Sequence, residues 1–476
     1  MSQLHSLIPY VNDIQTVFAP VFNPASDGRL SGFFSDAFIH NIDTYAAMPI
    51  SSTKPRIFYG WYIAGISFTA YFFATGTGFY AFNALLEPLC MLRDWNRTDL
   101  NMALAVGTVF GFIGQYVYGT LLPRIGVKRL MLFGAVTGGI AFILIPRVEH
   151  LWQFYMVYAL LFTGNGALGG IVAGTAVNNW FIRKRGKAMG IATAGMSLSG
   201  ALLPVLALML IHRIGLTGAT FFIGMAMILF GPVAWVIVRD WPEDMGLGPD
   251  GDSAPFAANP LPLGWEIPPV TADAAEVKWG IRQLVRDEAF WKLGIAFSLM
   301  MIGTVGVMSQ LKPRFSGIGF TDMTAMLMMG GTALTGAAGK YVWGSLCDRF
   351  NTLRVAAAMA AANIAGLALA LSGRSMSAMI LFIPVFGFSM GGIMSIYPII
   401  VAGIYGRKNF AGVLRYTSVF LVLQLLGYII AGMSFDRTGS YDAAYMVFIV
   451  FDLCAALLLI TLRHREDLNS NASIPL

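Results

Sequence analysis

Apolar stretches long enough to cross a bilayer recur along this chain, each closed off by charged or proline-rich breaks, and this repetition limits the possible folds more than any other feature. A helix needs about 20 mainly apolar residues to span the hydrocarbon core, where no water is available to satisfy exposed backbone groups. Twelve such runs are predicted, at residues 60–87, 99–122, 130–145, 151–181, 188–211 and 219–238, then at 290–311, 322–347, 353–371, 375–404, 410–435 and 443–462. Between the sixth and seventh runs, residues 239–289 carry seven prolines together with glycines and acids, and are predicted to connect two bundles. The predicted organisation is a tail at 1–56, a six-helix bundle at 57–238, a connector at 239–289, a second bundle at 290–462 and a tail at 463–476.

Composition agrees. Of the 476 residues 57% are hydrophobic and 12% charged, about half the charged share of a soluble domain, which excludes a cytosolic enzyme. Cys90, Cys347 and Cys454 are far apart with no CxxC pair, so neither a metal site nor a redox couple is expected. The net charge of +6 is read as topology, because cytoplasmic loops retain Lys and Arg. Four alternate loops and their edges hold Arg124, Lys128, Arg129, Arg183, Lys184, Arg185, Lys187, Arg349, Arg354, Arg407, Lys408 and Arg415. The opposite loops are poorer in cations. The basic end is therefore expected to be cytoplasmic, with both termini and the connector, in a plasma or inner membrane. No spanning run or secretory signal occurs before residue 56, and a second start at Met48 would lead directly into the first helix with MPISSTKPRIFYGWY.

The two halves repeat. GTLLPRIGVKRL from Gly119 is matched by GSLCDRFNTLRV from Gly344, and the basic loop starting at Arg183 by the one at Arg407, with the same offset to within one residue. Duplicated bundles around a central site are a common plan for transporters.

Ionisable residues inside spans are functional candidates by default. Lys340 stands eight residues before Asp348, about 12 Å deeper along a helix, and positions 336, 337, 343 and 344 at helical spacing are Gly, Ala, Trp and Gly. Its counter-charge is then a substrate anion, or the side chain snorkels to the surface or pairs with an acid on another helix. Glu87 and Asp452 are the membrane acids, neither well placed for proton coupling. Arg415 is expected to reach the interface at the basic end, with a gating role as the alternative. Gly166, Gly170 and Gly174 form a packing stripe. GFSMG at 387–391 lies within a helical run and is discounted as a nucleophile elbow, and no GxxxxGK[ST] or HExxH occurs.

At this point the chain resembles the major facilitator superfamily over nearly all of residues 57–465. The signature G-x-x-x-D-R-x-G-x-[KR]-[KR] is echoed in the second half by Gly344, Asp348, Arg349 and Arg354; in the first half Pro123 replaces the aspartate and leaves Arg124, Lys128 and Arg129 without their usual partner. YGWY at 59–62, NNWFIRKRGKAMGIATAGMSLSG at 178–200, RDWPEDMGLGPDG at 239–251 and DRTGSYDAAY at 436–445 are similar to the oxalate/formate antiporter and monocarboxylate transporter branch. The resemblance implies an all-α fold of twelve transmembrane helices in two six-helix pseudo-repeat bundles around a central cavity. It implies a carboxylate-binding role for Lys340, which stands where the branch carries an arginine, and a gating role at the basic loops for Asp348, Arg349, Arg354, Arg124, Arg129 and Arg185. The branch's acid one turn earlier is replaced by Gly336, its first-helix lysine by Asn83 or Ala84, and the exchanger's second cation by Val419. The helices that line the cavity in the superfamily supply Tyr80, Asn83, Asn165, Gln310, Tyr397, Gln424 and Tyr428 as further substrate contacts, each of which otherwise bridges helices.

The expected function is secondary transport of a small organic monoanion, a monocarboxylate, by alternating access, with protons as a possible co-substrate. The alternatives are exchange of oxalate- or formate-type anions and a transporter-like sensor that binds without moving its ligand. No enzyme activity, cofactor, metal or nucleic acid is expected; the partners are the anion and membrane lipid, and the chain is expected to act as a monomer.

Overall fold

The computed structural model describes residues 57–251, 279–372 and 376–462. The expectations for residues 1–56, Met48 among them, for the middle of the connector and for the tail at 463–476 lie outside the described residues.

Among the described residues every regular element is helical. The first bundle contains α1 (Gly60–Thr75), α2 (Ala81–Arg93), α3 (Arg97–Ile125), α4 (Val127–Leu144), α5 (Leu151–Leu168), α6 (Gly170–Trp180) and α7 (Arg185–Ile237). After a short α8 (Ile281–Leu284) the second contains α9 (Glu288–Ile318), α10 (Asp322–Cys347), α11 (Thr352–Ser372), α12 (Met376–Tyr405), α13 (Phe410–Thr417), α14 (Leu426–Thr438) and α15 (Asp442–Ile460). Nine of the described stretches are long and apolar enough to cross a membrane. One of them, α7, is 53 residues long and turns back at Gly215, whose φ of 74° only glycine adopts without strain, so it makes two passes. With α10, and with α1 and α2 together, the chain crosses twelve times in two six-helix bundles.

Three passes are interrupted part-way, two of them by a change of helical type. A π-helical turn, Gly76–Tyr80, joins α1 to α2; a 3₁₀ segment, Ser418–Leu425, joins α13 to α14; and Gly169 and Gly170 separate α5 from α6. Such changes put irregular backbone at membrane depth, which is tolerated where it lies against protein or a cavity.

The apolar core is divided unequally. One cluster runs through both bundles at the end carrying the basic loops and unites Ile63, Val172, Trp180 and Met189 with Phe297, Ile396, Tyr405 and Phe410. Toward the other end there are two separate clusters, one in the first bundle around Phe82, Phe154, Tyr158 and Leu203, the other in the second around Phe315, Phe382, Phe386 and Phe448. The bundles are thus packed together at the basic end and carry separate cores at the other.

Candidate functional site

The contact between the bundles is organised along α7 and α10, and can be followed from the basic end inward. Gly186 and Gly344 come together backbone to backbone, so closely that a methyl group on either would strike the other's carbonyl. Beside them Asp348, just past the end of α10, accepts hydrogen bonds from the amides of Gly186 (2.6 Å) and Lys187 (2.8 Å) with its two carboxylate oxygens. These amides belong to the first turn of α7, where donors have no partner within the helix and the helix dipole favours negative charge. Burial pushes the Asp348 carboxyl above its ordinary range, opposed by the two amide bonds. Arg185 is buried between the charges of Asp348 and Asp250, and its Nε donates to the Phe181 carbonyl at 3.2 Å.

One turn deeper Gly190 packs on the backbone of Lys340 and Tyr341. The Thr193 and Ser395 hydroxyls then meet at 3.0 Å, joining α7 to α12. One further turn in, Lys340 Nζ donates to Ser197 Oγ at 2.7 Å. Both residues are buried, Lys340 being 6% exposed, and among the described residues no carboxylate pairs with the ammonium. Beyond Ser197, Tyr80 of the π-helical turn lies on Gly200. A second seam links α3 to α13: Arg415 donates to the Thr120 hydroxyl and lies on the rings of Tyr116 and Tyr416, while Gly119 abuts the Ala411 carbonyl. Arg415 thus joins the two bundles.

The segment after the sixth pass is more than a connector. Asp240 accepts from the amides of Val127 (2.9 Å) and Lys128 (3.2 Å) at the start of α4. Asp250 accepts from Ile182, Arg183 and Lys184 at 3.0, 2.8 and 3.1 Å. Glu243 receives Arg407 Nη2 on both oxygens, at 2.6 and 2.8 Å, and Arg407 also stacks on Trp241. Asn178, Asn179 and Trp180 donate to the carbonyls of Arg407, Asp240 and Arg239. Signals for this docking were present in three of the four acids of RDWPEDMGLGPDG, Asp240, Glu243 and Asp250, though nothing in their spacing names their targets.

A family model described as Major Facilitator Superfamily matches residues 68–414, most of the chain. The chain belongs to the Major Facilitator Superfamily. Among its relatives, the MFS-type transporter pynF of Aspergillus niger is 28% identical over 29% of this chain and 32% of its own length. Monocarboxylate transporter 13 of Bos taurus is 22% identical over 82% of this chain and 84% of its own. The crystal structure of the human organic anion transporter MFSD10 (TETRAN) superimposes with a TM-score of 0.63 at 15% identity, covering 83% of this chain and 98% of that one, a likeness of fold.

Against the superfamily plan the named residues fall into distinct groups. Lys340 stands at the junction of the bundles, and Tyr80 lies on Gly200 within the first bundle. Asn83, Gln424 and Tyr428 make no side-chain hydrogen bond among the described residues, and Asn83 and Tyr428 are exposed. Asn165 pairs its amide with the Thr77 hydroxyl of the π-helical turn at 3.2 and 3.3 Å. Gln310 accepts from the Tyr441 hydroxyl at 3.0 Å. Tyr397 is buried against Phe297, with its hydroxyl beside Thr417 and Ser418. Of the membrane acids, Asp452 accepts from Asn363 Nδ2 at 2.8 Å, and Asn363 in turn accepts from Ser389 at 2.9 Å.

The basic-end residues expected to gate are split as well. Asp348 and Arg185 lie in the contact between bundles, whereas Arg349 and Arg354 are exposed. Arg124 and Arg129 are exposed on the rim of a cleft of about 500 Å³ that Asp240, Trp241, Arg407 and Lys408 also border, away from Lys340. Sequence reasoning missed Ser197, a serine indistinguishable from other small polar residues of α7 until Lys340 is placed beside it.

Proposed function

We propose that this protein is a secondary transporter of small organic monoanions, monocarboxylates, and that Lys340 binds the substrate carboxylate. The observation that carries this reading is a buried ammonium at the junction of the two bundles whose described partner is a neutral hydroxyl. An unpaired charge in a low-dielectric interior is costly, so a bound anion that neutralises Lys340 stabilises the occupied state more than the empty one. One buried cation at the site suits a monoanion better than a dianion such as oxalate. Lys in place of Arg supplies a point charge rather than a bidentate fork. The similarity to monocarboxylate transporter 13 over most of both chains supports the same class.

The basic end is taken as cytoplasmic by the positive-inside rule, with both termini and the connector on that side. The state in which the bundles meet at that end is then outward-facing, and transport requires the α7–α10 and α3–α13 seams to part. The test is counterflow in proteoliposomes with L-lactate, pyruvate, formate and oxalate. Wild type is expected to exchange the monoanions, and Lys340→Gln to lose uptake while retaining folding and insertion. Binding seen by thermal shift without any counterflow would favour a sensor, and preference for oxalate would favour the exchanger.

A further inference from the structure

We infer that Ser197 is the second carboxylate ligand, so that the substrate is held by one donor from each bundle; the inference rests on the reading of Lys340 given above. The hydrogen-bond inventory leads to it. An ammonium has three N–H donors and no acceptor, and a serine hydroxyl has one donor. The bond from Lys340 Nζ to Ser197 Oγ uses one N–H. The Ser197 O–H and two N–H groups then have no acceptor among the described residues, although Ser197 is 4% exposed and Lys340 6%. Buried donors are normally satisfied, and leaving them unmade is costly.

What would satisfy this group is defined by its chemistry: an anion with two acceptor oxygens on one carbon. Nζ and Oγ are 2.7 Å apart, a spacing at which a single carboxylate can engage both, one oxygen to each. The ligand then needs one carboxylate and no second charge, because the site contributes one positive charge and one neutral donor. Ser197 lies on α7 of the first bundle and Lys340 on α10 of the second. A bridging carboxylate therefore spans the seam that must rearrange during transport, and a neutral replacement for the acid cannot do so equally well.

The surroundings shape the site without competing for the ligand. Gly336, one turn from Lys340, faces Ser197 Oγ and Met390. Tyr80 lies over Gly200 on the side away from the basic end, and the Thr193–Ser395 hydroxyl pair lies one turn toward it. That pair also joins the two bundles but involves no charge, which makes it an internal control for a merely structural role.

The experiment is concentration-dependent uptake of L-lactate, pyruvate and formate by purified full-length protein in proteoliposomes, comparing wild type, Ser197→Ala, Ser197→Thr, Ser395→Ala and Lys340→Gln. A charge-assisted hydrogen bond lost from the bound carboxylate is expected to raise KM for each monocarboxylate by about tenfold or more in Ser197→Ala. The kcat is expected to change much less. Ser197→Thr, which keeps the hydroxyl, is expected to restore most of the affinity, and Ser395→Ala to shift thermal stability without a comparable rise in KM. If Ser197→Ala leaves KM unchanged while Lys340→Gln abolishes uptake, Ser197 is not a ligand and the Lys340 reading stands. If Ser197→Ala and Ser395→Ala raise KM alike, or Thr gives no rescue, the role of Ser197 is packing and the inference is overturned. Unchanged uptake in Lys340→Gln overturns both readings.

Discussion

Asp240 accepts hydrogen bonds from the amide of Val127 at 2.9 Å and from that of Lys128 at 3.2 Å, so a carboxylate from beyond the sixth pass caps the start of α4. Asp240→Ala is expected to cost about 1 kcal/mol, the usual value of an N-terminal cap. Thermal or denaturant unfolding in detergent measures it. Wild-type-like stability of Asp240→Ala would show that the cap contributes nothing.

The close approach of Gly186 and Gly344 leaves no room for a side chain. Gly344→Val is expected to push the basic ends of the bundles apart and bias the protein toward opening there, with an overpacking cost of about 1–3 kcal/mol in the closed state. The measurement is labelling of a single cysteine placed at Ser197 by a thiol reagent applied from the basic side: faster labelling in Gly344→Val is the expected result.

Asp348 joins the same contact by charge-assisted bonds to two amides. Asp348→Asn keeps the size but replaces one acceptor oxygen with a donor amino group facing an amide. The variant is expected to slow transport about tenfold, the effect of losing a bond worth about 1.5 kcal/mol in the closed state. The readout is kcat in counterflow. Arg349→Ala, at an exposed position, is expected to change it far less.

Asn165 and Thr77 bond one another between α5 and the π-helical turn. Asn165→Ala and Thr77→Val are each expected to lower stability by about 1–3 kcal/mol, and the double variant to lose less than the sum, because either change alone strands a buried polar partner. Additive losses in a double-mutant cycle would show that the two act independently.

Much of the architecture is written in the chain. Twelve apolar runs, the proline-rich break and the two matched pairs of basic loops define the helices and the duplicated bundles, because in hydrocarbon an isolated run has little alternative to a helix. Lys340 is legible for the same reason: a charge within an apolar run has few structural explanations. The acids of RDWPEDMGLGPDG are visible as letters, but their pairing with Val127, Lys128, Ile182, Arg183, Lys184 and Arg407 is not, since each contact joins residues far apart in sequence. The same holds for Asn165 and Gln310, which by residue type are substrate contacts or, more often, helix bridges, and whose hydrogen bonds to Thr77 and Tyr441 only the fold reveals. Ser197 acquires meaning only when α7 and α10 meet, because a hydroxyl costs little within a helix and becomes special only beside an ammonium. Helix formation in a membrane is a local property of the run, whereas the partner of a buried polar group is set by which helices pack together, and that is decided by the tertiary structure.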